Sequence, residues 1–434
     1  MQRAVTLVKE KCKGCTTCIK QCPTEAIRVR RGRATIIDER CIDCGQCIRV
    51  CHHHAKKAVY DPLERLEDFP YTVALPAPSL YGQFQNLDSV NQVLAGLLKI
   101  GFDHVYEVSR GAEIISELTR LTLSEEGHET PLISSACPAV VRLICTRFPK
   151  LISNIAKHIA PMEIAAIHAR EEAAARTGLA PEQIGVFFVT PCPAKVTAIH
   201  APAHLHRPVI DGAFSMTEVY RKLLHNMQRQ DVSELALGGI TGIGWALSGG
   251  ESSSLALEEY LAVDGIEQVI AILEELEDGK LSHLRFLELN ACNQGCVGGC
   301  LAVENPYVAK ARIQRLMRQM PAVKHPLHLS HHQREACLSD KEFTENSVWQ
   351  LAENRVAAME LYQKISALRE LLPGLDCGSC GTPSCRALAE DVVLGSASED
   401  DCIFRLRERM QTLKGQGDTD EYLPAPFRKS AEDE

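Results

Sequence analysis

Cys12-Lys13-Gly14-Cys15-Thr16-Thr17-Cys18-Ile19-Lys20-Gln21-Cys22-Pro23 is matched further along the chain by Cys41-Ile42-Asp43-Cys44-Gly45-Gln46-Cys47-Ile48-Arg49-Val50-Cys51-His52. Both runs place cysteines at the same separations, and each reads as a turn, a cysteine run and a short helix. Between them, Ile27–Arg30 and Ala34–Ile37 have the pattern of a hairpin turning at Arg31-Gly32. Thiolates so close in sequence suit convergence on one centre better than cross-linking. The chain has 19 cysteines in 434 residues, most of them in such groups. Its first residues lack the apolar core of a secretion signal. Metal ligation in a reducing, cytoplasmic setting is therefore expected, with disulfides disfavoured.

The repeat resembles bacterial dicluster ferredoxins, in which the fourth cysteine of each run ligates the other run's cluster. The resemblance implies one 4Fe-4S cluster on Cys12, Cys15, Cys18 and Cys51, and a second on Cys41, Cys44, Cys47 and Cys22. A pair of zinc sites is the competing reading. His52 departs from the pattern, which has proline there, and is expected to alter hydrogen bonding near the first cluster. Residues 1–61 hold 13 Lys plus Arg against 6 Asp plus Glu. Compensation of anionic clusters accounts for this excess; a docking face for an acidic electron partner is the second reading.

The whole chain carries a formal net charge of −9, a poor match for nucleic acid. No apolar run is long enough to cross a membrane, so a membrane role is not expected. Past residue 61 cysteines thin out and strands alternate with helices, the signature of an α/β domain with chemistry at its strand ends. Strands are expected at Tyr71–Leu75, Leu132–Ser135, Val186–Thr190 and Leu284–Leu289, and helices at Val90–Gly101, Ala112–Leu123, Ile155–Thr177 and over one or two segments within 342–371. In the last of these, Ala357, Leu361, Ile365 and Leu368 would form the apolar face.

Three loops in this domain carry cysteines: Ser134-Ser135-Ala136-Cys137-Pro138, Thr190-Pro191-Cys192-Pro193-Ala194-Lys195, and Glu288-Leu289-Asn290-Ala291-Cys292-Asn293-Gln294-Gly295-Cys296-Val297-Gly298-Gly299. They supply four thiolates from three strand–loop junctions, enough for another 4Fe-4S cluster. In order and spacing they resemble the signature motifs of FeFe hydrogenases, T-S-C-C-P-x-W, M-P-C-x-x-K and E-x-M-x-C-x-x-G-C. The resemblance implies an H-cluster, a 4Fe-4S cube bridged to a diiron unit bearing carbon monoxide, cyanide and a dithiolate amine. The cube's ligands would be Cys137, Cys192, Cys292 and Cys296, with Cys296 as the bridge. Lys195 would hydrogen-bond a diiron cyanide.

The departures from these motifs are as informative. Ala136 stands where hydrogen-producing members have the cysteine that passes protons to the bridging amine, and a methyl group carries no proton. Thr190 and Asn290 replace two methionines, and Val140 replaces the motif tryptophan. Thr119 and Thr122 fall near the two glutamates of the family's proton path. Cys300 falls where the motif continues with glycine, leaving a spare thiol, a core cysteine or another proton carrier as its roles. Intact ligands with a broken relay resemble the sensory branch, implying hydrogen sensing with slow turnover of H2, protons and electrons.

Near the C-terminus, Cys377, Cys380, Cys385 and Cys402 resemble the small 4Fe-4S unit of corrinoid iron–sulfur proteins and of sensory FeFe hydrogenases, with zinc as the alternative. Arg386–Leu394 is expected to be a helix returning Cys402 to this unit. Signal output would then need a separate electron-transfer or signalling partner. Residues 342–371 serve either internal packing or a homodimer contact. The expected organisation is a dicluster domain over 1–61, an H-cluster domain over 62–330, a helical linker over 331–371, a cluster domain over 372–410 and a disordered tail over 411–434. Cys145 is expected in the core, and Cys337 is left without a role. Two rival functions share these ligands: an iron–sulfur assembly protein holding only 4Fe-4S clusters, and an electron-transfer module.

Overall fold

The computed structural model describes residues 3–125, 127–227, 234–320 and 334–414. Packing divides the chain into two units, Met1–Glu10 with Asp38–Val348, and Lys11–Ile37 with Trp349–Glu434. The first cysteine run thus belongs to the second unit, and the second run to the first.

The first unit is built on two parallel sheets. One has the order His104–Val105, Tyr71–Pro76, Ile184–Thr190 and Gly212–Ser215. The other has the order Tyr260–Asp264, Phe286–Asn290 and Leu132–Ile133. Ile184–Thr190 is buried at every position, as a central parallel strand covered on both faces must be. Phe187 stacks on Phe214 with centroids 4.8 Å apart in the first core. A second core gathers Ile133, Val140, Leu143, Leu287 and Leu289. Parallel strands run their carboxyl ends the same way, which carries Ile133, Thr190 and Asn290 toward the three cysteine loops.

All four expected strands are present, with no end shifted by more than two residues. The helix expected over Ile155–Thr177 begins only at Pro161. Proline lacks the N–H of an interior helical residue and suits the first turn, which fixes this start. Ile155 instead forms a bridge to Ile133.

In the second unit the hairpin pairs Ile27 with Ile36 and Arg30 with Arg33, turning at Arg31 and Gly32 with φ of 50° and 71°. Helices follow at Arg355–Leu371, Cys385–Val393 and Ile403–Lys414. Within the expected 342–371 segment only the second half is α-helical. Asn354 caps it, its side chain accepting from Ala357 N at 2.7 Å. Ile365 and Leu368 bury the expected face against Leu388, Ala389 and Cys402. Arg28 forks onto Asp391 at 2.7 and 3.1 Å, and Arg30 reaches the same carboxylate at 2.7 Å. Part of the basic excess is therefore used to bind the hairpin to the C-terminal helices. Of the tail expected to be disordered over 411–434, residues 411–414 instead continue the helix Ile403–Lys414, and the rest lies outside the described residues.

Candidate metal centres

Two of the three central loops share one local construction. Cys137 and Cys192 each sit at the N-cap of a helix whose first residue is proline, Pro138–Arg147 and Pro193–His200. The Cys-Pro pair thus places a thiol where backbone N–H groups and the helix dipole favour negative charge. The third loop leaves strand Phe286–Asn290 and turns through Gln294 and Gly295, with φ of 64° and 82°. A Cβ on Gly299 would lie 2.3 Å from the Pro191 carbonyl, so only glycine lets this loop press against the Cys192 loop.

These loops bring the four thiols into one electrostatic group. Desolvation pushes Cys137 up to about 11; the N–H of Ala291 opposes this, and Cys292 and Cys296 add to it. Desolvation, then Cys292 and Cys137, hold Cys192 well above the ordinary thiol value. Among the described residues no three His, Cys, Asp or Glu side chains are close enough for a single metal ion. Four thiols from three loops, near one another and opposed to joint ionisation, suit a larger cationic centre that reverses that cost. The donor set fits an iron–sulfur cube.

A pocket with about 660 Å³ of empty space, its open mouth included, adjoins these thiols. Ala136, Cys137, Lys195, Cys296, Phe188 and Met162 are among its lining residues. Lys195 Nζ donates to Cys296 Sγ at 3.7 Å. Desolvation works against the ammonium, but Cys296, Cys192 and Cys137 outweigh it and raise its pKa. A retained positive charge at the pocket wall suits an anionic ligand.

Only some of the residues singled out from sequence line this pocket. Asn290 does line the pocket and donates to Glu288 at 3.0 Å. Thr190 is fully buried, and its hydroxyl bonds the backbone of Cys192 at 3.1 Å in both directions. Val140 lies in the second core. Thr122 bonds His158 at 3.1 Å, and Thr119 is buried. The helix Val108–Ser124 faces the pocket with Val108 and Ala112, side chains that carry no proton. Cys145 and Cys337 are core residues. Cys300 packs on Gly45, where an added Cβ would meet its sulfur at 2.5 Å.

Sequence reading missed Glu251 and gave no role to Glu288, which opens the third motif. Both are buried and both line the pocket. Glu288 accepts from Gly249 N, Ser252 N and Ser252 Oγ at 2.9, 2.9 and 3.0 Å, as an ionised carboxylate does. Glu251 accepts from Ser134 at 2.5 Å. Burial, and then the charge of Glu288, raise Glu251 well above the carboxyl range. Glu251 is thus the protonated partner. Its sequence setting, Gly249-Gly250-Glu251-Ser252, signals a turn and nothing of burial.

The two ferredoxin-like runs repeat in local detail. Ala26 N donates to Cys22 Sγ at 3.2 Å, and Ala55 N donates to Cys51 Sγ at 3.2 Å. Burial opposes ionisation of Cys51, but backbone N–H groups of Lys56, Ala55 and His53 outweigh it and lower its pKa. Lys56 Nζ is buried with no hydrogen-bond partner among the described residues, a placement that favours an anion beside Cys51. In the second unit, Cys380, Cys385 and Cys402 share one apolar cluster. Cys385 N donates to Asp376 at 2.6 Å, and Cys380 Sγ pairs with Thr382 Oγ1 at 2.9 Å. Cys377 is exposed.

Comparison with known proteins agrees with this construction. Residues 4–52 match the 4Fe-4S dicluster domain and residues 372–404 match a family model of an Fe–S cluster region. Over 267 residues the chain is 24% identical to iron hydrogenase 1 of Clostridium pasteurianum, covering 51% of this chain and 46% of that protein. Over 261 residues it is 22% identical to the NADP-reducing hydrogenase subunit HndD of Solidesulfovibrio fructosivorans, covering 48% and 44%. Over 45 residues it is 47% identical to a component of the Na(+)-translocating ferredoxin:NAD(+) oxidoreductase complex of Acetobacterium woodii, covering 10% and 14%. The chain thus spans less than half the length of each of these relatives. Among solved structures, an FeFe hydrogenase of Chlamydomonas reinhardtii aligns with a TM-score of 0.48 and 15% identity, covering 65% of this chain and 98% of that one. No helix among the described residues is long and apolar enough to cross a membrane. Residues 70–236 and 213–300, together more than half of the chain, match the family model of the iron only hydrogenase large subunit, C-terminal domain, and the chain belongs to that family.

Proposed function

We propose that Cys137, Cys192, Cys292 and Cys296 hold the cube of an H-cluster, and that the chain works as a hydrogen sensor with slow turnover. The observation that carries the reading is Lys195, 3.7 Å from Cys296 at the wall of a pocket that Ala136 also lines. When bound, the diiron unit supplies the site where H2 is exchanged with two protons and two electrons. Lys195 holds a cation toward an anionic ligand there. Ala136 offers no proton, which slows exchange with solvent. Glu251 holds a proton at the same pocket and bonds Ser134, whose hydroxyl also accepts from Ala136 N at 3.3 Å. This leaves a slower route in place of the missing cysteine.

Twelve further cysteines hold the electron-carrying clusters: Cys12, Cys15, Cys18 and Cys51; Cys41, Cys44, Cys47 and Cys22; and Cys377, Cys380, Cys385 and Cys402. Electrons then pass to a protein partner, which carries the output. Infrared spectra of chain matured with the hydrogenase assembly factors test the proposal. Carbon monoxide and cyanide bands support it. A chain that binds iron yet shows none after competent maturation is an iron–sulfur carrier without a diiron unit.

A further inference from the structure

One side chain joins the second ferredoxin-like run to a central-loop cysteine. Arg49 ends the helix Gln46–Arg49, two residues past Cys47. Its Nη2 donates to Cys292 Sγ at 3.3 Å and also to the carbonyl of Gly298. Both partners belong to the third loop, 243 residues further along the chain in the case of Cys292. Beside this contact the Gly45 backbone packs on Cys300, where any larger residue would collide. The run that carries Cys44 and Cys47 is therefore seated on the loop that carries Cys292, with Arg49 as its polar link.

We propose that Arg49 sets the reduction potential of the cluster ligated by Cys292. The inference rests on the reading of Cys292 as a cube ligand. A donor to a ligand sulfur and a fixed positive charge both favour the more negative, reduced cluster, so both raise its potential. The Gly298 carbonyl holds the guanidinium in place, so its donor is oriented in either redox state. Arginine suits this double task because its planar fork carries several donors in fixed directions. Arg49 is solvent-facing, so screening moderates the charge effect. Arg49 is a positioning and tuning residue, acting through Cys292.

The test uses the full chain reconstituted anaerobically with iron and sulfide, titrated under electron paramagnetic resonance. Cys292→Ala identifies the signal that depends on this ligand and lowers the iron content. Arg49→Met, without donor or charge, shifts that signal to lower potential by more than any other. Arg49→Lys, which keeps charge and donors, restores most of the shift, and Arg49→Gln, with a neutral donor, restores part. An unmoved Cys292-dependent signal in Arg49→Met overturns the proposal, as does an equal shift of every cluster. If Arg49→Met loses the cluster, Arg49→Gln and Arg49→Lys decide: wild-type potentials in both reduce Arg49 to a structural staple. If Cys292→Ala leaves iron content and all signals unchanged, the ligand reading has failed instead.

Discussion

Ser134 donates a hydrogen bond to Glu251 at 2.5 Å, and Glu251 shares its buried setting with Glu288. The loop that bears Ala136 is thereby tied to a protonated carboxyl at the pocket wall. Glu251→Gln keeps the shape and removes the exchangeable proton. In matured protein it lowers hydrogen turnover by about 100-fold or more, the usual share of a positioned acid or base. Ala136→Cys raises turnover. A hydrogen-evolution assay with the infrared bands intact checks both, and unchanged rates in Glu251→Gln would place the proton route elsewhere.

Lys195 is the pocket's cation. Lys195→Met leaves the thiol ligands untouched, so iron bound by the cube is retained while diiron loading falls to a small fraction of wild type. Iron analysis before maturation and infrared band intensity after it separate the two. Equal band intensity in the variant would show that Lys195 is dispensable for holding the unit.

His158 is buried, and desolvation lowers its pKa from 6.5 to about 4. The folded state therefore binds this proton less readily than the unfolded chain. Its contribution is fully present above pH 6.5 and is lost as pH falls toward 4, up to about 3 kcal/mol. Urea unfolding of wild type and His158→Leu across this range measures it. The difference between the two proteins narrows as pH falls, and a constant difference refutes the assignment. Glu251 and Glu288 titrate with the opposite sign and cancel in the comparison.

Asp391 neutralises Arg28 and Arg30 at one buried point. Asp391→Ala leaves two guanidinium groups facing each other without their carboxylate, with only backbone carbonyls as acceptors, which destabilises the second unit by about 3 kcal/mol. Hydrogen exchange at the hairpin Ile27–Ile36 reads this locally. Protection equal to wild type would show that the pair contributes little.

The cysteine groups and the strand–loop–helix pieces that carry them were legible in sequence because they are local. A thiol at a Cys-Pro helix start is positioned by its immediate neighbours, whatever the rest of the fold does. The hairpin at Arg31-Gly32 was legible for the same reason. Local periodicity failed where a cap overrode it: Pro161 delayed one helix, and Asn354 limited another. Glu251 was invisible, since a glutamate after two glycines resembles a surface turn until packing buries it against Glu288. Arg49 and Cys292 are far apart in the chain, and nothing near either announces the other. Spacing alone therefore determined which cysteines are candidates to hold metal, whereas the proton and charge environment of those residues was decided by sheets and loops meeting in three dimensions, because burial and long-range contact have no local signature.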